Sequence, residues 1–428
     1  MRPLLVWVAF LSVATASAAT LTVGTGRMYA RIEDANAAAS PGDTIAVYRT
    51  AGDLYVRPMI LVTKANLRFV GMEAAPVVLD GTGGNYSGAG SVPRAIFQAN
   101  PGASGLVIEN LELRNARNTS FNGAGVRINQ ASSVTVRRCL IHSNDMGIMS
   151  NGDGATPTSA SNQLIEYCQI YSNGNASNPG FNHNLYLGGT SATVQFCAIH
   201  SSTTGHNFKS RAHFNLLRYN HVYDSANREL DLVDDWDTTR PHSHTVLLGN
   251  VIVKKLDMSG NRTVIHFGQD GGAAHNGTLF LIHNTIVTTY VSPIVQVSST
   301  QARVDFVNNV IYNGVQSAPT LVSGHSLGTV SGNHNWISRG YSLAGTSISP
   351  ATRYQGGTVA AHPGFANASL GDYFLLQTAA GYPAAPTAKY FDGDGTSRSG
   401  TPQFQYHAVA SGLGIEWRKP CLGAGVKR

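Results

Sequence analysis

An all-β fold, a parallel β-helix or β-solenoid, is what this sequence predicts, on three observations. The first is a strand pattern that returns. Five segments, His183–Gly188, His206–Arg211, Arg228–Val233, Thr263–Gly268 and Pro293–Ser298, each alternate with a period of two, as a strand with one buried face requires. Leu185, Phe208, Leu230, Ile265 and Val295 share one inward register, and Leu187, Ser210, Leu232, Phe267 and Val297 share another. Between them stand Tyr186, Lys209, Asp231, His266 and Gln296. The second observation is a ladder of small residues, Asn110, Cys139, Cys168, Cys197, Asn220, Asn250, Asn284 and Asn309, each opening a short apolar run. The cysteines recur every 29 residues and the later members at irregular intervals, as a backbone of fixed circumference with loops of variable length produces. Thirdly, 46 glycines and a charged fraction of 13% in 428 residues suit a chain of many turns that grows by stacking rather than around one compact core.

The elements follow in order. Residues 1–18 read as a signal peptide, with Arg2, the apolar run Leu4–Leu11 and the small residues Ala16-Ser-Ala18, so a secreted or periplasmic protein is expected. That run is too short to span a bilayer and no later one is long enough, so no membrane anchor is expected. Tyr29–Ala39 predicts a capping helix with Ile32, Ala35 and Ala39 on its buried face, covering the open edge of the first coil. Leu21–Val23, Thr44–Val47, Leu67–Val70 and Pro76–Leu79 are the first strands, and Asp80–Asn85 is turn chemistry. The β-helix domain is expected over 19–339 and an irregular extension packed on it over 340–428, with a last strand at Phe374–Leu376 and a tight turn or calcium loop at Asp392–Gly395. Insertions at 151–161, 172–182 and 234–246 would wall a groove beside the column if all left the sheet at one corner. Cys139, Cys168 and Cys197 are expected as stacked, buried thiols, and Cys421 as unpaired.

The formal charge of +6 favours an anionic partner. No basic run interleaves with aromatics, so the expected partner is an acidic polysaccharide and not nucleic acid.

In a stacked fold Tyr186, Lys209, Asp231 and His266 form one outward column with rungs about 4.8 Å apart. These residue types suit β-elimination from a uronic-acid polymer, which needs the carboxylate neutralised, the C5 proton removed and the leaving oxygen protonated. Arg211 is fitted to the carboxylate by its planar fork. Lys209, with its pKa lowered by the neighbouring Arg, is the expected base and Tyr186 or His206 the expected proton donor, unless these roles are reversed, and His266 is a further catalytic group. His183, Arg228, Trp236 and Gln269 are expected to bind substrate, Trp236 by stacking. No cofactor is dictated; calcium is the metal that Glu229, Asp231 and Asp234 would hold, unless the acids orient Lys209 and Arg211. The alternatives are a glycoside hydrolase using carboxylates among Asp231, Asp234, Asp235 and Asp237, and a noncatalytic glycan-binding protein. Zinc on His183, His206, Asp231 and His266 is disfavoured, since His183 and His206 read as corner residues. No Ser or Cys constellation for nucleophilic catalysis is visible.

The opening Tyr29–Val47, with Pro41-Gly-Asp43 after the helix, the Asn-X-Ile/Val repeats and the segment Tyr390–Arg398 resemble the right-handed parallel β-helix proteins of the pectate lyase-like superfamily, over most of residues 20–400. Phe208-Lys-Ser210 followed by Asn215 and Asn220 resembles the Lys-Ser coil of the β-helix lyases acting on alginate and dermatan-type chains. The resemblance implies right-handed coils, a polysaccharide lyase and Lys209 as base. Those enzymes carry Arg-His-Gly on the next coil; here Leu230-Asp-Leu-Val-Asp234 stands there, so Arg211 or Arg228 would replace that arginine. The Asn-Thr-Asp and Gly-His-Gly signatures of pectin hydrolases are absent.

Overall fold

A computed structural model describes residues 17–418 apart from 152–159, 256–259, 291, 314–319, 339–340, 350–362, 376–387, 404 and 408–415. The expected signal segment up to residue 16, and Cys421, lie outside the described residues.

The described residues form a right-handed parallel β-helix. Each coil gives one strand to each of three parallel sheets, of thirteen, eleven and ten strands among the described residues. In chain order, sheet one (for example Thr135–Arg137) leads to sheet two (Leu140–His142) and then to sheet three (Met146–Asn151). One apolar core runs through the coils from Leu21 to Ile348. The helix Ile32–Ala38 lies against the first strands, with Ile32, Ala35 and the following Ala39 buried.

The corner between sheets one and two is the tightest and sets the stacking. One residue there adopts the left-handed conformation in coil after coil: Arg138 (φ 53°), Tyr167 (55°), Phe196 (55°), Tyr219 (58°), His283 (54°), Asn308 (59°) and His334 (56°). Such a φ costs a non-glycine residue about 1–2 kcal/mol, and the following ladder residue offsets it. Asn220, Asn250, Asn284 and Asn309 each donate from both the backbone N and Nδ2 to the Oδ1 of the next member, at 2.9–3.0 Å, ending on Asn335. Each Nδ2 also donates to a carbonyl of the preceding coil, as Asn250 does to Leu217 at 2.9 Å. Cys139, Cys168 and Cys197 fill the same place as free, buried thiols, and Cys197 N donates to Asn220 Oδ1 at 3.0 Å.

Asn110 does not belong to this ladder. Leu140 pairs with Glu112, so Leu111 lies opposite Cys139 and Asn110 takes the left-handed position (φ 56°) instead. Its amide ties back to the carbonyls of Gly71 and Glu73, both at 2.8 Å. Asn110 mimics the pattern one residue early.

A second polar ladder, unread in the sequence, lies at the corner between sheets two and three. Asn144 donates to Asn173, Asn173 to Asn184 and Asn184 to Asn207, at 2.8–3.0 Å. The last amide, Asn207 Nδ2, reaches Glu229 Oε2 at 2.6 Å. Glu229 and Lys254 form a fully buried ion pair at 3.5 Å. Burial pushes Glu229 up to about 7 against the opposing pull of Lys254, and burial lowers Lys254.

The three insertions do not share a corner. Residues 172–182 join sheet two (Gln169–Tyr171) to sheet three (Leu185–Leu187), whereas 151–161 and 234–244 join sheet three to sheet one. They therefore leave sheet three from opposite edges. Towards the C terminus the sheet-one stack continues to Ser347–Ile348. Three antiparallel strand pairs follow among the described residues, Phe365–Asn367 with Asp372–Leu375, Lys389–Phe391 with Ser397–Ser399, and Gln405–His407 with Glu416–Arg418. Phe365 and Leu375 pack on Val251, Val253, Val287, Val310 and Trp336 outside sheet two. Ala388 and Tyr390 pack on Val246, Leu248, Phe280, Ile282 and Val307 outside sheet one. Asp392 closes the second hairpin's turn by accepting from Thr396 N (2.9 Å) and Arg398 Nε (2.7 Å).

Breaking the Glu229–Lys254 pair from one side should cost about 3–5 kcal/mol, because a buried charge loses its partner. Lys254→Met should therefore lower the urea midpoint. The double variant Glu229→Gln/Lys254→Met should recover most of the loss, since the neutral amide that replaces the carboxylate still accepts from Asn207. A double variant no more stable than Lys254→Met would show that the pair is not the cause.

Candidate functional site on the third sheet

Sheet three brings the column together in register. Tyr186 pairs with Lys209, Lys209 with Asp231, Asp231 with His266, and His266 with Gln296. Met149 precedes Tyr186 in the same line. The flanking registers, Leu185 to Val295 and Leu187 to Val297, are buried in the core, so their neighbours between must face outward.

Asp231 is the centre of this face. Its Oδ1 accepts from His266 Nδ1 at 2.9 Å and from Arg228 Nη1 at 3.2 Å. Its Oδ2 receives Lys209 Nζ at 2.9 Å and His206 Nε2 at 3.3 Å. Burial alone would raise the Asp231 carboxyl, but the His266 hydrogen bond and the positive neighbours hold it well below the usual carboxylate range. It is a buried, permanently ionised hub.

Lys209 does not have the lowered pKa expected of a resting base. Burial would lower it, yet the charge and hydrogen bond of Asp231, joined by Asp270, outweigh that and raise it. The neighbouring Arg211 is a weaker influence because its own guanidinium is turned to other acceptors. Arg211 Nε donates to Tyr186 Oη at 2.9 Å, Nη1 donates to the Asp234 carbonyl, and Nη2 meets Asp270 Oδ2 at 2.8 Å. Asp270 Oδ2 is also 2.9 Å from Lys209 Nζ. One exposed carboxylate thus bridges the two cations, at the rim where Lys209 and Arg211 reach the surface.

Three expected site residues are withdrawn into the fold. His183 is buried and its ring stacks on His206, with centroids 5.0 Å apart, while meeting Tyr186 edge-on at 5.5 Å. It supports Tyr186 and has no face for substrate. His206 is buried, pushed down to about 4 chiefly by burial, and directs Nε2 at Asp231. A neutral ring whose one N–H is committed to a carboxylate is not the proton donor. Arg228 is spent on protein acceptors: Asp231, Thr263 Oγ1 at 3.1 Å and Gln296 Oε1 at 3.0 Å. Trp236, by contrast, is 70% exposed on the turn Trp236–Thr239, and Gln269 is exposed on the loop after His266.

The acids do not fit calcium. Glu229 faces the interior and Lys254. Both oxygens of Asp231 are occupied, two of their partners being the cations Lys209 and Arg228. Asp234 Oδ1 accepts from the backbone N of Asp270 and Gly271, pinning that loop. Of the oxygens of Glu229, Asp231 and Asp234, one alone, Asp234 Oδ2, is buried without a partner, against the roughly six to eight oxygens calcium takes. Nor, among the described residues, do three or more His, Cys, Asp or Glu side chains group to hold a metal. The paired carboxylates of a hydrolase are spent likewise: Asp235 caps the turn at 236–239 and Asp237 pairs with Arg240 at 3.1 Å.

Two residues of the site escaped sequence reading, Asp270 and Ser298. Asp270 sits in Gly268-Gln-Asp-Gly-Gly272 directly after the His266 strand, and a charge set among glycines there was the available signal. Ser298 directly follows the strand Val295–Val297; its Oγ lies 2.7 Å from His266 Nε2.

No family profile and no curated sequence matches the chain. Among solved structures, it is similar to the pectate lyase Pel9A, at 14% identity and a TM-score of 0.47 over 94% of this chain and 97% of that one. It is also similar to a lacto-N-biosidase from Eubacterium ramulus, at 10% identity and 0.46 over 78% and 66%. A pectin methylesterase from carrot aligns at 14% and 0.35 over 77% and 87%. These likenesses lie in the path of the backbone, and the parallel β-helix stands on the chain's own three sheets.

Proposed function

We propose that this chain is a polysaccharide lyase that cleaves a uronic-acid-containing glycan by β-elimination on the outer face of sheet three. The observation that carries the reading is the Asp270 carboxylate held between Lys209 (2.9 Å) and Arg211 (2.8 Å). A substrate carboxylate has the same charge and shape, and it takes that place when Asp270 swings aside. Two cations on the carboxylate stabilise the enolate that forms when the C5 proton leaves.

The remaining roles follow from the surroundings of each group. Tyr186 takes the C5 proton as its phenolate, whose negative charge the Arg211 guanidinium donating to its oxygen stabilises before the transfer neutralises it. Lys209, kept protonated by Asp231 beneath it, gives its proton to the leaving glycosidic oxygen. The C5–H and C4–O bonds break, a C4–C5 double bond forms, and the proton returns to Lys209 from Tyr186 or solvent. Trp236 offers a stacking face for a sugar ring. The glycan is acidic and the protein exported; no helix among the described residues is long and apolar enough to cross a membrane, and calcium is not held by Glu229, Asp231 and Asp234.

The test is a panel of polyuronates and acidic glycans, read by the ultraviolet absorbance of unsaturated products and by reducing ends. Unsaturated ends are expected; saturated ends would replace the lyase with a hydrolase, and binding without products would leave a glycan-binding protein. Lys209→Ala and Tyr186→Phe should each lower kcat by roughly 100-fold or more.

Asp270→Asn should lower KM for an acidic glycan about two- to fivefold with kcat retained, as expected for removing an exposed competing ion pair. A raised KM would mean that Asp270 helps to hold substrate. Because Asp231 raises Lys209, the acid form persists at alkaline pH and activity falls only as pH climbs through that raised value. Asp231→Asn should move this alkaline limb to lower pH in a pH–kcat profile; an unmoved limb would remove Lys209 from the proton-donating role.

A further inference from the structure

Ser298, His266 and Asp231 stand in a line that β-elimination does not use. Asp231 is ionised and can only accept, so His266 Nδ1, 2.9 Å from Oδ1, carries a proton. In the neutral ring Nε2 is then the acceptor, and the Ser298 hydroxyl, 2.7 Å away, is its donor. The carboxylate sets the tautomer, the tautomer aims the base, and the base holds the serine proton. Asp231 and His266 lie on adjacent rungs and Ser298 directly follows the strand of the next. Strand register alone joins residues 35 and 32 positions apart into one relay.

The serine lies against the loop that follows the His266 strand. It is half-buried at the sheet-three edge; its Oγ accepts from Gln269 N at 2.7 Å, and its one proton has two acceptors in reach, His266 Nε2 at 2.7 Å and, farther off, the Gln269 carbonyl at 3.1 Å. The loop passes close over it at Gly268 (φ 140°), where a Cβ would stand 2.7 Å from Ser298 Oγ. Gln296 lies on the same face two residues before Ser298, and its Oε1 is taken by Arg228 at 3.0 Å. Its amide N–H pair is the end it offers to an oxyanion.

We propose that Ser298 is the nucleophile of a second activity, hydrolysis of a short O-acyl ester carried by the glycan, with His266 as general base and Asp231 as its positioning residue. The described surroundings, Gln269, Gln296 and Arg228, are polar, which suits a short acyl group, acetyl, better than a long apolar one. Ser298 Oγ bonds to the acyl carbon while its proton passes to His266 Nε2. The tetrahedral intermediate collapses, the C–O bond to the sugar breaks, and the sugar oxygen takes the proton from His266. Water then attacks the acyl-serine with His266 again taking the proton, and acid and free serine are released.

The test uses the whole protein with p-nitrophenyl acetate, an O-acetylated polyuronate and a methyl-esterified one, together with a fluorophosphonate label mapped by peptide mass. Acetate release is expected, with the label on the peptide containing Ser298. Ser298→Ala and His266→Gln should each lower acetate release by roughly 100-fold or more. Asp231→Asn should slow labelling of Ser298 and Asp231→Glu should restore part of it, which a merely structural carboxylate would not do. Labelling of the unaltered protein needs no variant to fold: an unlabelled Ser298, or acetate release undiminished in Ser298→Ala, overturns the proposal. Methanol release without acetate release overturns the substrate class.

Discussion

The candidate site on the third sheet depends on the register set at the far corner of the coil, by the amide ladder from Asn220 to Asn335 and by Cys168 and Cys197, which hold the same place in the coils of Tyr186 and Lys209. Each asparagine of the ladder ties its backbone N and its Nδ2 to one oxygen of the next coil, so it fixes vertical spacing and lateral register together. The left-handed residue before it makes the corner a single-residue hinge of fixed shape. A parallel strand displaced by one residue would turn its outward side chains inward, putting Lys209 and Asp231 into the core and Phe208 and Leu230 outside. The ladder's amides are buried, so a slip that broke their bonds to the next coil would leave several polar groups unsatisfied at about 1–3 kcal/mol each. The column is therefore as fixed as the corner.

Given that register, the electrostatics follow from one carboxylate. A buried, ionised Asp231 surrounded by Lys209, Arg228, His206 and His266 is unfavourable to assemble from water and strong once assembled, because the shielded pairs attract at low dielectric. It divides the face in two. Towards Tyr186 it keeps Lys209 charged and presents a cationic rim, on which Asp270 rests. Towards Gln296 it fixes the tautomer of His266 and thereby the Ser298 hydrogen bond. The same negative charge holds an acid on one side and a base on the other.

What the sequence disclosed was the part written by local alternation. Period-two runs place Tyr186, Lys209, Asp231, His266 and Gln296 in one register, and the Asn and Cys recurrence marks one corner. Asn110 misled because Asn also favours the left-handed position, so identity alone did not separate hinge from ladder. The second ladder was harder to see because it changes its source, from Asn144 and Asn173 after sheet two to Asn184, Asn207 and Glu229 before sheet three. Glu229 looked like a surface acid for want of its partner, since Lys254 lies a coil away and strand alternation does not say which charges meet inside. The direction of the Lys209 shift was missed for a related reason: adjacency in sequence to Arg211 is visible, whereas contact with Asp270, 61 residues away, is made by a loop.

Loops explain the remaining gap, and also why the site can be specific. The strands set what each rung offers, but the loop 268–272 decides what the rungs touch. Asp234, at the end of the Asp231 strand, pins the loop through Asp270 N and Gly271 N, and Gly268 lets it lie against Ser298. The carboxylate of Asp270 is thus placed by a carboxylate one coil earlier, without any contact between Asp270 and the core. A loop anchored by its backbone and exposed by its side chain can exchange that side chain with little effect on the fold. In this architecture the solenoid supplies fixed positions, and the loop after the His266 strand sets what the cations Lys209 and Arg211 meet.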